Sequence, residues 1–206
     1  MPSIIARLPV KCLPARQTPG NGRYRCPGRR FPRECRLARL GRRGQNQSHA
    51  MRFLCDAMLG GLVRWLRAAG YDSLLAEGSW RDHELVERCA REQRVLLTKD
   101  RELGLRAFET VRVLLLAGRD LDGNARELRE MLGVDWQHAP FTRCLVDNAA
   151  LETAEPHHRE RVPPTSRGIA APLRRCPSCG RLYWPGGHVR RMERRLAQWQ
   201  GPITTS

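Results

Sequence analysis

Met51-Arg52-Phe53-Leu54-Cys55-Asp56 and Arg94-Val95-Leu96-Leu97-Thr98-Lys99-Asp100 are two short apolar runs, each closed by an aspartate. A segment of helical character follows each of them. Runs of about four to eight apolar residues that alternate with amphipathic segments read as parallel strands of an α/β sheet. In such sheets the carboxyl ends of the strands face one crevice, and ligands bind there. Two carboxylates far apart in sequence are therefore expected to meet at one site, and clustered carboxylates are hard oxygen donors for a metal ion.

The remaining segments support this reading. Leu59, Leu62, Val63 and Leu66 recur at i, i+3, i+4 and i+7, one face of a helix that Gly70 stops, with Arg64 and Arg67 off the stripe. Residues 71–76 read as a second strand. Ser79 and Asp82 have the spacing of a capping box opening a helix to about Arg91, with Leu85, Val86 and Cys89 as its apolar stripe. Residues 94–98 form a third strand, 101–108 a short helix, 111–117 a fourth strand, and 124–132 a helix ended by Gly133. The β-α alternation predicts an α/β domain over residues 51–136, a parallel sheet with helices on both faces.

Charge is unevenly spread along the chain. Of a net +16, residues 1–50 carry +11, from twelve Lys/Arg against the single acid Glu34. Residues 51–206 carry only +5, from twenty-five Lys/Arg against twenty acids. The first fifty residues are rich in Arg, Pro and Gly and lack helical or strand periodicity, so they are read as disordered. A charge breaks Ile4-Ile5-Ala6-Arg7 before an apolar signal core forms, although an Arg-rich transit peptide remains open. The alternative is a mis-called extension, with translation starting at Met51. No apolar stretch reaches membrane-spanning length. Cys12, Cys26 and Cys35 lie in this N-terminal part, and Cys55 and Cys89 read as buried thiols. Cys144, Cys176 and Cys179 point to a metal in a reduced, cytoplasmic setting rather than to disulfides.

Asp56 and Asp100 supply two ligands for Mg²⁺ or Mn²⁺, and Asp82 or Glu84 at the start of the intervening helix supplies a third. Asp56 follows a buried strand, where an unpaired carboxylate carries a desolvation cost. Asp82 and Asp100 have a competing reading as helix caps, and Glu84 one as a solvated face residue. Asp120 and Asp122, after the fourth strand, are weaker candidates for a fourth acid.

The string Phe53-Leu54-Cys55-Asp56-Ala57-Met58-Leu59-Gly60-Gly61-Leu62-Val63-Arg64-Trp65-Leu66-Arg67-Ala68-Ala69-Gly70-Tyr71-Asp72, then Asp82-His83-Glu84-Leu85, then Val95-Leu96-Leu97-Thr98-Lys99-Asp100-Arg101, resembles the Mut-seven C-terminal RNase family. The resemblance runs from Met51 to about Met192. It implies a PIN-like nuclease domain with a zinc ribbon, and a ribonuclease site at Asp56, Asp82 and Asp100. The expected reaction is hydrolysis of RNA phosphodiester bonds by a metal-activated water that leaves a 5′-phosphate. Arg101 is a candidate phosphate contact.

After Trp136 the texture changes to Pro-rich sequence with paired ligand residues, read as a module over residues 139–192 and a basic tail over 193–206. Residues 189–200 nevertheless have the pattern of a basic amphipathic helix, and the last six look frayed. Cys176-Pro177-Ser178-Cys179-Gly180 is a C-x-x-C knuckle, and Cys144-Leu145-Val146-Asp147-Asn148 is a half-matching partner. The family resemblance implies a second Cys where this chain has Asp147. A Cys3Asp zinc site, a weakened one, an empty remnant, or closure by His157, His158 or His188 are all open. Tyr183, Trp184 and His188 are candidate contacts to single-stranded RNA, with packing of the ribbon core as the competing reading. Arg174, Arg175, Arg190, Arg191, Arg194 and Arg195 flank the module. Two other functions compete with the ribonuclease: a non-catalytic RNA- or ribosome-binding protein and, on Asp56 with Lys99, a phospho-receiver domain. A receiver would want paired acids where Cys55-Asp56 has one.

Overall fold

The computed structural model describes residues 51–201. The expectations for residues 1–50 and 202–206 lie outside the described residues. Along the chain come β1 (Arg52–Cys55), a 3-10 turn (Ala57–Leu59), α1 (Gly60–Ala68), β2 (Asp72–Leu75), α2 (Asp82–Glu92), β3 (Val95–Thr98), α3 (Arg101–Ala107), β4 (Val113–Leu115) and α4 (Leu121–Leu132). The four strands are parallel in the order β2-β1-β3-β4. Successive strand residues point to opposite faces. Phe53, Cys55, Val95, Leu97 and Leu114 therefore pack with α1 and α4, while Leu54, Leu96 and Val113 pack with α2 and α3. The expected α/β architecture with helices on both faces is what folds.

The strand order places the site. From β1 the chain moves to one side to form β2, then crosses over to the other side to form β3. The crevice between the carboxyl ends of β1 and β3 is thus the topological switch point, and Asp56 and Asp100 follow these two strands.

Three local readings change. The predicted capping box at Ser79 is replaced by one shortly after it, where Glu84 Oε2 accepts from the Arg81 amide at 2.6 Å and α2 starts at Asp82. Helix α4 starts three residues before the predicted Asn124, because Asp120 Oδ1 accepts from the Gly123 amide at 2.7 Å. Polar Asp122 and Gly123 hide that first turn from an apolar period. Arg67, off the apolar stripe of α1, is buried.

Gly70 stops α1 at φ +96, and a Cβ there would lie 2.3 Å from the Ala139 carbonyl oxygen. The segment 139–141 hydrogen-bonds to the end of α1 through Ala139 N to Ala69 O (3.0 Å) and Phe141 N to Ala68 O (2.8 Å), so it cannot simply retreat. Gly70→Ala is expected to cost at least about 2 kcal/mol from backbone strain and overpacking. That corresponds to a fall in Tm of roughly 4–8 °C, readable by thermal melting.

Downstream lies a three-stranded antiparallel sheet in the order β5-β6-β7, with β5 at Glu152–Thr153, β6 at Arg174–Arg175 and β7 at Leu182–Tyr183. Between β5 and β6 run a 3-10 segment (Pro156–Arg161) and a short α5 (Pro164–Arg167). The last helix, α6 (Gly187–Trp199), returns to the first domain. Its Met192 and Leu196 are buried in the core beside α1 and α4. Trp199 meets Trp65 edge-on at 4.8 Å and Trp136 at 4.9 Å. The boundary at residues 192/193 suggested by composition therefore falls inside a helix. Val189, Met192, Leu196 and Trp199, at i, i+3, i+7 and i+10, dock that helix through residue 199.

Candidate functional site

The crevice at the switch point is built around Thr98, the last residue of β3. Its hydroxyl donates to Asp56 Oδ2 at 2.9 Å, and its Oγ1 accepts from the Asp100 amide at 2.9 Å. The Asp56 amide donates to Leu97 O at 3.0 Å, continuing the β1–β3 pairing one residue past the strand. One side chain thus ties the Asp56 carboxylate to the Asp100 backbone. Asp56 is half-buried and Asp100 exposed. Asp100 also caps α3, with Oδ1 accepting from the Glu102 amide at 2.7 Å and the Leu103 amide at 3.2 Å.

Asp82 opens α2 and accepts from the Arg106 guanidinium of α3. Arg101 is exposed on the first turn of α3. Glu84 is committed to the cap of α2, and Asp120 to that of α4. Asp122 accepts from Arg195 and from Trp199 Nε1 at 2.7 Å, holding α6. Lys99 donates to Gly118 O at 2.7 Å, bracing the loop after β4. Asp56, Asp82 and Asp100 do not draw their oxygens into one tight group. Each is held by its own partners: Thr98, Arg106 and the α3 amides.

Among the described residues, one group of three or more His, Cys, Asp or Glu has ligand atoms all within 4.8 Å of one another: Cys144, Asp147, Cys176 and Cys179. The two knuckles that carry them are backbone twins. Each has its fifth residue in the left-handed region, Asn148 at φ 73 and Gly180 at φ 69. In each, the fifth amide donates to the first carbonyl, at 3.1 Å for Asn148 to Cys144 and 3.0 Å for Gly180 to Cys176. In each, the first amide donates to the sixth carbonyl, at 2.8 Å for Cys144 to Ala149 and 2.9 Å for Cys176 to Arg181. Asp147 therefore stands where the second knuckle has Cys179. Cys144 Sγ lies 3.7 Å from Cys179 Sγ, and Cys176 Sγ lies 3.3 Å from both Asp147 oxygens. Burial pushes the Asp147 pKa up, but hydrogen bonds from Cys179, the Ala149 amide, Cys144 and Cys176 prevail and hold it well below the usual carboxylate range. Burial, helped by Asp147, drives the Cys176 thiol up to about 12. Such a mixed set of thiols and a carboxylate can take up a divalent cation as the thiols release their protons.

The first knuckle is bolted to the sheet. Arg67 donates from Nε to Ser73 O at 2.8 Å and from Nη1 to the carbonyls of Leu145 and Val146, both inside the knuckle. Asn148 Oδ1 accepts from the Ser73 amide at 2.9 Å, and its Nδ2 donates to Asp72 Oδ1 at 2.8 Å. Arg94 donates to Asp72 at 2.7 Å and to Glu92 at 2.6 Å. Burial raises the Asp72 pKa, but the bonds from Arg94 and Asn148 outweigh it and leave it depressed. The stability from this carboxylate is complete above its unfolded pKa of about 3.9 and is lost as pH falls through the lower folded value. Thermal melts against pH should show a steeper acid limb for the native chain than for Asp72→Asn. Parallel limbs would contradict this.

The other candidates have structural duties. The Tyr183 hydroxyl is pinned between Cys144 Sγ at 3.1 Å and the Leu145 amide at 3.0 Å, holding one member of the Cys/Asp group from behind. The Nε1 of Trp184 lies close over Gly186, where a Cβ would meet it at 2.7 Å. His188 Nε2 accepts from Arg64 at 3.0 Å, since a guanidinium only donates. His157 pairs with Glu155 and stacks on His158, whose centroid is 4.0 Å away. None of the three histidines joins the Cys/Asp group. Cys55 and Cys89 are buried thiols, and burial pushes Cys89 up to about 12. Reading residue types alone missed Thr98, Arg67 and Asn148. Thr98 was visible only as the residue closing a strand just before an acid.

A parallel α/β sheet with carboxylates at its switch point, joined to paired metal-type knuckles on its edge, defines an α/β domain with an integral ribbon. The family model for the Mut7-C RNAse domain matches residues 51–196, and the chain belongs to that family. The match covers both the sheet and the ribbon, and it assigns a nuclease-type function with RNA as substrate. No curated protein and no solved structure gives a significant match.

Proposed function

We propose that the chain is a PIN-like, metal-dependent endoribonuclease acting on single-stranded RNA in the cytoplasm. The observation that carries this is the Thr98 hydroxyl joining Asp56 and Asp100 across β1 and β3. Asp56 and Asp100 would hold Mg²⁺ or Mn²⁺, with Asp82 as third ligand once it exchanges Arg106 for the ion. All three offer hard carboxylate oxygen, with no sulfur or imidazole in the set, which suits these ions. When bound, such an ion acidifies water and stabilises a departing oxygen. Thr98 fixes the orientation of Asp56. Arg101, next to Asp100 on an exposed turn, contacts the substrate phosphate. Water attacks phosphorus in line, the bond from phosphorus to the 3′-oxygen breaks, and the proton shed by the water is balanced by one taken up at the 3′-oxygen, giving a 5′-phosphate and a 3′-hydroxyl.

The ribbon holds structural Zn²⁺. Tetrahedral zinc with Zn–S near 2.3 Å sets two sulfurs about 3.8 Å apart and a sulfur and oxygen about 3.5 Å apart. The 3.7 Å and 3.3 Å separations here suit that arrangement. Asp147 in place of a thiolate makes this a weaker zinc site than four cysteines would.

A second reading, a non-catalytic RNA- or ribosome-binding protein, draws on two facts. Asp82 is engaged by Arg106, and Asp100 caps a helix. Labelled single-stranded RNA incubated with the full chain and Mn²⁺ or Mg²⁺ separates the two. The ribonuclease reading expects shortened products with 5′-phosphates, absent when the divalent ion is withheld. RNA that is bound but intact under every ion would establish the binding protein instead.

A further inference from the structure

We infer that one flank of α6, together with Arg64 of α1, is a basic rim that holds the backbone of single-stranded RNA beside the Asp56 crevice. The inference rests on the ribonuclease reading and adds the path of the substrate to it. Helices α1 and α4 each follow a strand, so both start at the carboxyl edge of the sheet, where the crevice lies. Helix α6 meets α1 at its middle and α4 along its length, reaching the carboxyl edge at the first turn of α4 while Arg129, further along α4, donates to the Trp199 carbonyl. His188 in its first turn accepts from Arg64 in the second turn of α1, and Arg195 pairs with Asp122 in the first turn of α4. His188, Arg191 and Arg195 recur at i, i+3 and i+7 and so share one flank, with Arg194 beside them. Glu193, the one acid of α6, falls on the opposite flank.

The charges on that flank are of two kinds. Arg195 is neutralised by Asp122 and lies over Trp199, 5.5 Å from its ring centroid. Arg191 and Arg194 are exposed and have no acidic partner among the described residues. Arg64 donates to an imidazole nitrogen that carries no negative charge, so its positive charge also stands uncompensated. Three unneutralised guanidiniums, on and beside a helix that reaches the carboxyl edge of the sheet at Asp122, suit the charge of a nucleic-acid backbone. Arg174 and Arg175 belong to β6 and are half-buried, so they are left out of the rim.

The test compares full chains carrying Asp56→Asn, which keeps the RNA intact during binding. One carries Arg191→Glu with Arg194→Glu. A control carries Arg91→Glu with Arg161→Glu, the same change in charge at exposed sites on α2 and in the ribbon insertion. Residues 1–50 are common to both and cancel. Anisotropy of a labelled single-stranded oligonucleotide is followed against salt. Two lost phosphate contacts lower the slope of log affinity against log salt by about 1.4. The rim pair should show that loss and bind at least about tenfold more weakly than the control. Equal weakening in both pairs overturns the rim. With Asp56 restored, the rim pair should raise KM for RNA and leave kcat within about twofold. Rim-dependent binding in a chain that cleaves no RNA would support the rim while refuting the ribonuclease.

Discussion

Asp56→Asn is expected to lower RNA cleavage by at least about a hundredfold, the upper end of what is lost when even a residue behind a metal ligand is changed. The substitution is nearly isosteric. Its carbonyl oxygen can still accept from the Thr98 hydroxyl. The backbone amide at this position donates to Leu97 O at 3.0 Å whatever the side chain is. Folding should therefore be unchanged, with Tm within about 2 °C of the native chain, a surface-scale effect. What disappears is one negative charge at the switch point, and with it the hard anionic donor that a divalent ion requires. Cleavage measured at saturating Mn²⁺ in a well-folded Asp56→Asn protein decides the matter. Undiminished turnover would refute the assignment. Thr98→Val is the companion: it keeps the volume of this fully buried residue but removes the hydroxyl between Asp56 and Asp100. A loss of roughly 10–100-fold is expected, as for other groups that orient a ligand from behind.

Removing the metal proposed for the ribbon should destabilise the parallel sheet as well as the ribbon. Structural zinc contributes on the order of 10 kcal/mol to small metal-dependent folds, and the Cys3Asp set would contribute less. The route into the sheet is specific. Arg67 of α1 grips two carbonyls between Cys144 and Asp147, and Asn148 accepts from the Ser73 amide on β2. If the knuckle opens, these buried groups lose their partners, at about 1–3 kcal/mol each. Cys176→Ser, or a chelator on the native chain, is expected to lower Tm by more than about 10 °C. Hydrogen exchange at the Ser73 amide should accelerate at the same time. A ribbon that lost its metal while Ser73 stayed protected would show the two parts to be independent.

Much of the domain is legible from local pattern. The apolar runs at 52–55 and 95–98, and the 3.6-residue stripe from Leu59 to Leu66, report burial directly, so strands and helices can be read from them. Cys176 and Cys179 are legible because a knuckle is a contiguous turn. Asp147 is legible only as the odd member of a pair. The duties of the acids are less so. Glu84 and Asp82 look alike in sequence, yet one closes the cap of α2 while the other meets Arg106 of α3. The end of helix α6 reads as a basic tail because arginines dominate its outer side. Its docking depends on Trp65 and Trp136, which come from distant segments.

Local spacing is enough to specify the α/β alternation, the strand-end positions of Asp56 and Asp100, and the Cys and Asp positions of the two knuckles. Burial period and turn geometry act over a few neighbouring residues, so each of these is written in a short stretch of chain. Packing in three dimensions adds what no such stretch contains. Thr98 links the Asp56 carboxylate to the Asp100 backbone, Arg67 and Asn148 lock the first knuckle to β2, and α6 packs across α1 and α4. The contacts that do this, from Thr98 to Asp56 and from Arg64 to His188, reach across 42 and 124 positions of the chain. They depend on where the folded sheet and helices bring side chains together, and no local pattern records that.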